Sequence, residues 1–221
     1  ADNVNITFYE TPQANAGMDQ AVCGLNVQMD ASFSISDSIG QWTLWLTPGP
    51  GCSNPSYEDI TNPGTHIQVS YYGIYTFVWR ERNLYNNTCS STDTVVIEFV
   101  EYPTISGGTD QWVCGDTVYL QAFPSANTAG QTWMTAPVTW YNLTTHLSDT
   151  FAQKDPVTIA HHIHTINDSV IFQWQEYNQA TINNLQCPSV DTVIVYFYVD
   201  YPAVEFIDSQ WDTVQCGRVY T

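Results

Sequence analysis

The segment Asp19-Gln-Ala-Val-Cys23-Gly recurs as Asp110-Gln-Trp-Val-Cys114-Gly, at a spacing of 91 residues (110 − 19). A weaker third copy reads Asp212-Thr-Val-Gln-Cys216-Gly. Blocks that return at a fixed spacing of this size are typical of tandem arrays of similar structural units. The chain is therefore predicted to contain repeats of about 90–100 residues.

A second block, Cys89-Ser-Ser-Thr-Asp93-Thr-Val, recurs as Cys187-Pro-Ser-Val-Asp191-Thr-Val, and each copy runs on into a Tyr-Pro pair. The opening residues 2–12 match residues 93–103 at the same spacing of 91 (93 − 2). We therefore expect the chain to be part of a longer array. Its predicted divisions are the last strand of a preceding repeat (1–12), two whole repeats (13–103 and 104–202) and the start of a following repeat (203–221).

Short stretches of alternating apolar and polar residues run through both whole repeats. In Val95-Val-Ile-Glu-Phe99 and Val193-Ile-Val-Tyr-Phe197 one face is wholly apolar, as expected of half-buried strands. Turns containing proline and glycine separate such stretches, and no segment has a convincing helical period. About seven short strands per repeat, with a central tryptophan such as Trp42, predict an all-β chain of tandem immunoglobulin-like β-sandwiches.

The chain is strongly acidic, with 4 Lys and Arg against 22 Asp and Glu in 221 residues and a formal net charge of -18. Such a surface repels nucleic-acid phosphates and anionic lipid headgroups, so we expect no nucleic-acid partner. No stretch approaches the roughly 18 apolar residues of a membrane helix, so no membrane insertion is expected. Nucleophile-elbow, zinc-protease and phosphate-loop motifs are lacking, which predicts a protein that is not an enzyme and needs no cofactor.

Six cysteines are spread through the chain without zinc-site spacing, which predicts a disulfide framework and an oxidising, extracellular location. The pairing favoured by the sequence lies within each repeat, Cys23 with Cys89 and Cys114 with Cys187. The alternative joins Cys23 to Cys187 across the repeat junction. It answers a geometric objection, since Cys23 and Cys89 are expected near opposite ends of one sandwich.

Two cysteines lack an obvious partner in this scheme. Cys216 belongs to the third copy of the first block, so its partner is expected beyond the chain. Cys52 has no counterpart in the second repeat, and it is predicted to be a buried free thiol or an intermolecular crosslink.

Metal binding has one weak candidate, the sequence His161-His-Ile-His164. On a strand, His162 and His164 share a face and could bind a metal together with Asp155 or Asp168. The plainer interpretation is a solvent-facing strand, and no metal site is expected. Calcium suits the acidic surface, but no calcium-binding loop is present.

Aromatic and apolar residues are expected on the outer face of the last strand of the second repeat. If Val193, Val195 and Phe197 face the core, then Tyr196 and Tyr198 face outward with Ile194. Three explanations stay open: packing against a neighbouring repeat or chain, binding of sugars through the tyrosines, or cover by a loop of the same repeat.

Taken together, the Asp-Gln-x-Val-Cys-Gly block, Tyr75-Thr-Phe-Val-Trp79 and the Cys-x-x-x-Asp-Thr-Val block resemble the Ig-like (PKD-like) repeats of giant surface proteins of Bacteroidota. That group includes gliding adhesins and other cargo of the type IX secretion system. The resemblance implies a non-catalytic stalk, adhesin or filament on the outer cell surface. Its implied partners are neighbouring repeats, further copies in a homo-oligomer or filament, and surface glycans. The alternative is a carbohydrate- or ligand-binding module of a secreted multidomain protein.

The same resemblance implies an O-glycosylation signal, Asp followed by Ser or Thr and an apolar residue. Strand chemistry gives the same pattern, because Asp commonly ends a turn and Thr-Val begins a strand. The candidate acceptors are Ser38, Thr94, Thr117, Ser169, Thr192 and Thr213.

Overall fold

The computed structural model describes residues 2–49, 54–125, 134–135, 139–142, 155–162 and 168–198. Every helix or strand in these ranges is a β-strand, which confirms the all-β prediction. Among them no helix is long and apolar enough to cross a membrane. The chain divides into two compact units, Ala1–Tyr102 with Asn178–Cys187, and Pro103–Tyr177 with Pro188–Thr221.

The first unit is an immunoglobulin-like sandwich of two sheets. Its strands are β1 Gln20–Cys23, β2 Asn26–Gln28, β3 Ser38–Leu46, β4 Ser56–Tyr57, β5 His66–Gln68, β6 Gly73–Asn83 and β7 Ser90–Val100. One sheet has the order β1-β7-β6-β3 and the other β2-β5-β4. Strand β1 runs parallel to β7, whereas the described pairs β3–β6, β6–β7, β2–β5 and β4–β5 are antiparallel. This order matches the two-sheet arrangement of the fold.

The core of the first unit follows the predicted alternation. Val95, Ile97 and Phe99 of β7 are almost fully buried, as one face of a strand packed on the opposite sheet should be. Trp42 and Trp79 lie at the centre with their rings 5.1 Å apart. Their aromatic surface accounts for much of the apolar area that holds the two sheets together.

The second unit repeats the same plan in its described part. Its strands are β8 Gln111–Cys114, β9 Thr117–Gln121, β10 Met134–Thr135, β11 Thr139–Asn142, β12 Val157–His161, β13 Asp168–Gln179 and β14 Gln186–Tyr198. One sheet has the order β10-β13-β14-β8, with β11 also paired to β13, and β9 pairs with β12 in a second sheet. Strand β8 is again parallel to the last strand, β14.

The core of the second unit also forms as the alternation predicts. Val193, Val195 and Phe197 are fully buried beside Trp174. Across the sandwich, β9 contributes Val118 and Leu120 to the same cluster. The second repeat therefore encloses a core of its own.

Two features of the units differ from the sequence repeats. Asn178–Cys187 lie in the second repeat by sequence but belong to the first unit by packing. Residues 2–12 form no strand, and Val4, Ile6 and Phe8 are largely exposed. Their assignment to a preceding repeat stays a prediction, as does the assignment of 203–221, which lies outside the described residues.

Candidate functional site: a disulfide-linked hairpin

One disulfide ties the connection between β13 and β14 to the first unit. Cys23, the last residue of β1, is bonded to Cys187, near the start of β14. Their Cα atoms are 5.5 Å apart, within the usual range for a disulfide. The bond spans 164 residues of sequence and therefore joins the first sequence repeat to the second.

The favoured within-repeat pairing of the cysteines is wrong. Cys89 is a free thiol, and Cys187 is bonded to Cys23 and not to Cys114. The reason is the strand register: Cys23 lies opposite Val100, at the far end of β7 from Cys89. Eleven residues of strand separate those ends by about 36 Å, far more than a disulfide can bridge.

The same register argument applies to the second unit. Cys114 lies opposite Tyr198 at the end of β14, whereas Cys187 lies near the start of that strand. Cys114 is itself disulfide-bonded. Cys52 and Cys216 lie outside the described residues.

A buried carboxylate binds the tip of the hairpin Asn178–Cys187, which connects β13 to β14. Glu98 of β7 is only 5% exposed, and its Oε2 accepts hydrogen bonds from the Thr181 amide, the Thr181 hydroxyl and the Ile182 amide, each 2.8 Å long. Hydrogen bonds to a charged acceptor are stronger than neutral ones. Three convergent donors therefore compensate for the removal of this carboxylate from water.

Backbone geometry shapes the tip of the hairpin. Asn183 and Asn184 adopt left-handed φ angles of 59° and 51°, a conformation that asparagine tolerates better than most residues. The Ala180 amide donates to the Leu185 carbonyl across the turn at 2.8 Å. The turn at this Asn-Asn pair thus positions Thr181 and Ile182 for Glu98.

A buried asparagine anchors the base of the hairpin. The Asn178 side-chain amide donates to the Glu101 carbonyl at 2.7 Å, and Asn178 is 1% exposed. The disulfide, the Glu98 contacts and this hydrogen bond thus hold Asn178–Cys187 at three points. Sequence reasoning missed the role of this segment, because the contacts join residues about 80 positions apart.

The repeated aspartates of the two motif blocks have structural roles. Asp19 Oδ1 accepts from the Val96 amide at 2.8 Å, and Asp110 Oδ1 accepts from the Ile194 amide at 2.9 Å. In the second block, Asp93 Oδ2 accepts from the Ala16 amide, 2.9 Å away. These carboxylates fasten the first strand region of each repeat to its last strand, which explains why they recur.

Two buried glutamates follow the core tryptophans at equivalent positions. Glu81 accepts hydrogen bonds from the hydroxyls of Ser34 (2.9 Å) and Ser38 (2.6 Å) and from the Ser34 amide. Glu176 accepts from the Ser125 amide and the Trp174 indole at 3.0 and 3.2 Å. Burial raises the pKa of Glu176 above its usual range, and these two hydrogen bonds only partly oppose the shift.

The candidate glycosylation sites divide by accessibility. Thr94 and Thr192 are exposed, whereas Ser169 is half-buried. The Ser38 hydroxyl donates to Glu81, and the Thr117 hydroxyl bonds to Asp116 and contacts His161. Thr213 lies outside the described residues. Among the described candidates, Thr94 and Thr192 are therefore the accessible ones.

The histidine cluster is only partly described. His162 Nε2 lies 3.2 Å from Asp168 Oδ2, so one of the two predicted acidic partners is adjacent. Asp155 accepts from the Val157 amide instead, and His164 lies outside the described residues. Within the described ranges no group of three His, Cys, Asp or Glu residues could hold a metal ion.

The outer face of the second unit carries an aromatic pair. The rings of Trp112 on β8 and Tyr196 on β14 stack 5.4 Å apart at an interplanar angle of 11°. Trp112 is 66% exposed, whereas Tyr196 is half-buried and Tyr198 is exposed. The alternation of the sequence identified the two tyrosines but not Trp112. A signal for Trp112 was present, because the Asp-Gln-x-Val-Cys block has Ala21 in the first repeat and Trp112 in the second.

Comparisons with known proteins give neither a family nor a function for this chain. No protein-family model matches the chain, and no curated protein does either. Similar solved structures include the I-band fragment I67-I69 from titin (10% identity, 85% of this chain and 66% of that chain, TM-score 0.38). They also include the N-terminal four Ig domains of Dscam1 isoform 6.9 (9%, 89% and 47%, 0.36) and the human desmocollin-1 ectodomain (13%, 85% and 42%, 0.34).

The chain thus spans about two thirds or less of the length of these three structures. At such identities and TM-scores the likeness gives no information about activity or partners. The immunoglobulin-like assignment rests on the strand order and register described above.

Proposed function

We propose that this chain is a non-catalytic structural and adhesive segment of an extracellular repeat protein, a stalk, adhesin or filament on a bacterial surface. The observation that carries the proposal is the Cys23–Cys187 disulfide with the Glu98 contacts beside it, since together they join one sequence repeat to the next. Covalent joining of successive repeats suits a chain that spaces or transmits force.

The chemistry of the described residues supports this function in two ways. Disulfides persist in oxidising compartments, which favours an extracellular location. The recurring carboxylates are used as hydrogen-bond acceptors for the backbone, as in Asp19 and Asp110, and not as an acid and base beside a cleft. The resemblance of the repeat motifs to Bacteroidota surface proteins extends the proposal to type IX secretion cargo.

Electron microscopy of the protein purified from its own cells tests the proposal. We expect rods or fibres whose length scales with the number of repeats, and surface labelling of intact cells by an antibody against this segment. A compact particle confined to the cell interior would contradict the proposal. Intact-mass measurement of the same sample tests glycosylation, with Thr94 and Thr192 as the expected acceptors.

The second candidate function is a carbohydrate-binding module, and the Trp112–Tyr196 stack is the observation that favours it. Flat, exposed aromatic rings pack well against the apolar faces of sugars. If this function is correct, the chain binds glycans on an array and Trp112→Ala abolishes binding. The matched control is Trp45→Ala, which removes another largely exposed tryptophan from the first unit and should leave binding unchanged.

A further inference from the structure

Cys89 occupies the position in the first repeat that Cys187 occupies in the second. Each cysteine stands four residues before the aspartate of the repeated Asp-Thr-Val block, Asp93 or Asp191. Cys187 is fully buried in its bond with Cys23, whereas Cys89 is a half-buried free thiol. Cys187 is bonded to Cys23, which lies in the preceding repeat. A cysteine at this position can therefore pair with a cysteine at the Cys23 position of another repeat.

The hydrogen bond that anchors the base of the β13–β14 hairpin also has an equivalent in the first repeat, in the hairpin that leads to Cys89. The Asn83 side-chain amide donates to the Glu10 carbonyl at 3.0 Å, just as Asn178 donates to the Glu101 carbonyl. Glu10 and Glu101 are 91 residues apart (101 − 10), the spacing of the repeat. The first hairpin therefore holds residues 2–12 in the way that the second holds the end of β7.

The differences between the two hairpins are also mutually consistent. The hairpin from Asn83 to Cys89 is three residues shorter than that from Asn178 to Cys187. Its turn therefore has fewer residues that could take the place of Thr181 and Ile182. At the repeat spacing the residue that matches Glu98 is Thr7 (98 − 7 = 91), so residues 2–12 lack the carboxylate that accepts from Thr181 and Ile182 in the second hairpin.

The exposed apolar residues near the N-terminus complete the match. Val4, Ile6 and Phe8 correspond to Val95, Ile97 and Phe99 at the same spacing, and the latter three form the core face of β7. Val4, Ile6 and Phe8 are 81%, 71% and 89% exposed. Three apolar side chains that alternate along an exposed segment indicate a strand whose sandwich is not among the described residues.

We propose that Cys89 forms a disulfide with a cysteine at the Cys23 position of another repeat of this kind, and that residues 2–12 are the last strand of that repeat. The proposal rests on the proposed function, because it extends the joining of repeats by one junction. The two thiols lose their protons and two electrons as the Sγ–Sγ bond forms. A disulfide-containing oxidoreductase accepts the electrons and is itself reduced to a dithiol.

Disulfide mapping of the protein from its own cells is the first test. Free thiols are blocked with iodoacetamide before unfolding, and the unreduced protein is then digested and analysed by mass spectrometry. We expect the Cys89 peptide to be linked to a peptide in which the cysteine is followed by glycine, as at Cys23. A blocked Cys89, or a Cys89 linked to Cys52, would overturn the proposal.

An extended chain gives a second test that does not depend on the native source. Residues 13–92 are placed directly before Asp2, so that residues 2–12 take the place of β7 in the added copy. With Cys89→Ser in the added copy, we expect the remaining Cys89 of the oxidised protein to resist a maleimide, and amides of residues 4–8 to gain protection from hydrogen exchange. Cys23→Ser in the added copy alone is the matched control, and it should restore labelling of Cys89.

The outcomes separate this inference from the proposed function. In the extended chain, protected amides at residues 4–8 together with a reactive Cys89 would refute the disulfide. In the native protein, rods seen by microscopy together with a blocked Cys89 would refute the disulfide and leave the proposed function intact. Unprotected amides at residues 4–8 would refute the assignment of residues 2–12 to the last strand of that repeat. A linked Cys89 in a compact, intracellular particle would overturn the proposed function instead.

Discussion

The outer faces of β7 and β14 carry different residues at equivalent positions. In the first unit the pair is Ala21 and Glu98, and Glu98 is buried by hydrogen bonds to the hairpin tip at Thr181 and Ile182. In the second unit the pair is Trp112 and Tyr196, and Trp112 is exposed. The inner faces keep the same apolar chemistry, whereas the outer faces differ, since the hairpin tip covers Glu98 and Trp112 is left exposed.

Removal of the disulfide should cause the largest loss of stability, and the loss should be concentrated in the first unit. Double substitution of Cys23→Ser and Cys187→Ser releases a loop of 164 residues, which the chain-entropy model values at about 5 kcal/mol. We expect hydrogen exchange to accelerate in 178–187 and β1 far more than in the β9–β12 sheet. Hydrogen exchange at increasing denaturant concentration, read out by mass spectrometry, measures both regions in one sample.

The control for that experiment is Cys89→Ser. It removes a half-buried thiol that has no disulfide in this chain, so the unfolding midpoint should change little. An equal loss of stability from both variants would mean that the Cys23–Cys187 bond contributes nothing specific.

Glu98→Ala is expected to have the next largest effect. The substitution leaves the Thr181 and Ile182 amides without their acceptor, at a cost of about 1–3 kcal/mol. The loss should appear as faster exchange at 180–185, and Glu98→Gln, which keeps one acceptor oxygen, should lose less. Tyr196→Ala at the equivalent position should leave 180–185 unchanged, and a matching loss there would contradict the assignment.

Glu176 should make the second unit sensitive to pH. Its pKa is raised in the folded protein, so the folded state binds more protons than the unfolded state above the ordinary glutamate pKa. The stability of this unit should therefore fall as the pH rises through the raised pKa. Glu176→Gln should flatten that slope in unfolding midpoints taken from pH 4 to 8, and Glu10→Gln, at an exposed site, should not. A steeper slope after Glu176→Gln would refute the sign.

Trp112→Ala should have the smallest effect on stability. The side chain is largely exposed and its stack on Tyr196 is worth about 0.5–1.5 kcal/mol. We expect a shift of that size or less in the unfolding midpoint of the second unit, with unchanged exchange in the first. A loss of several kcal/mol would show that Trp112 packs into the core.

The fold was largely predictable because the alternation of apolar and polar residues is a local signal and occurs in both repeats. The alternation around Val95–Phe99 and Val193–Phe197 identified the inner faces of the last strands, and Trp42, the central tryptophan of the first repeat, is fully buried. The recurring aspartates are visible in the sequence as part of the repeat, but their hydrogen bonds to Val96 and Ile194, which link the first and last strands, appear only in the structure.

The site was less predictable because it depends on long-range register. Sequence spacing alone could not decide between Cys89 and Cys187 as the partner of Cys23. The decision comes from β1 running parallel to β7, which sets Cys23 beside Val100. The role of Glu98 depends on a hairpin some 80 residues further along, and no local pattern announces such a contact.

The Cys23–Cys187 bond also has a mechanical consequence. When the chain is pulled at points on either side of this pair, the bond carries tension directly from Cys23 to Cys187, in parallel with the backbone between them. That backbone of 164 residues corresponds to roughly 550 Å of extended chain, at about 3.4 Å per residue. A reductant that cleaves the bond would therefore change how far the chain can lengthen under load.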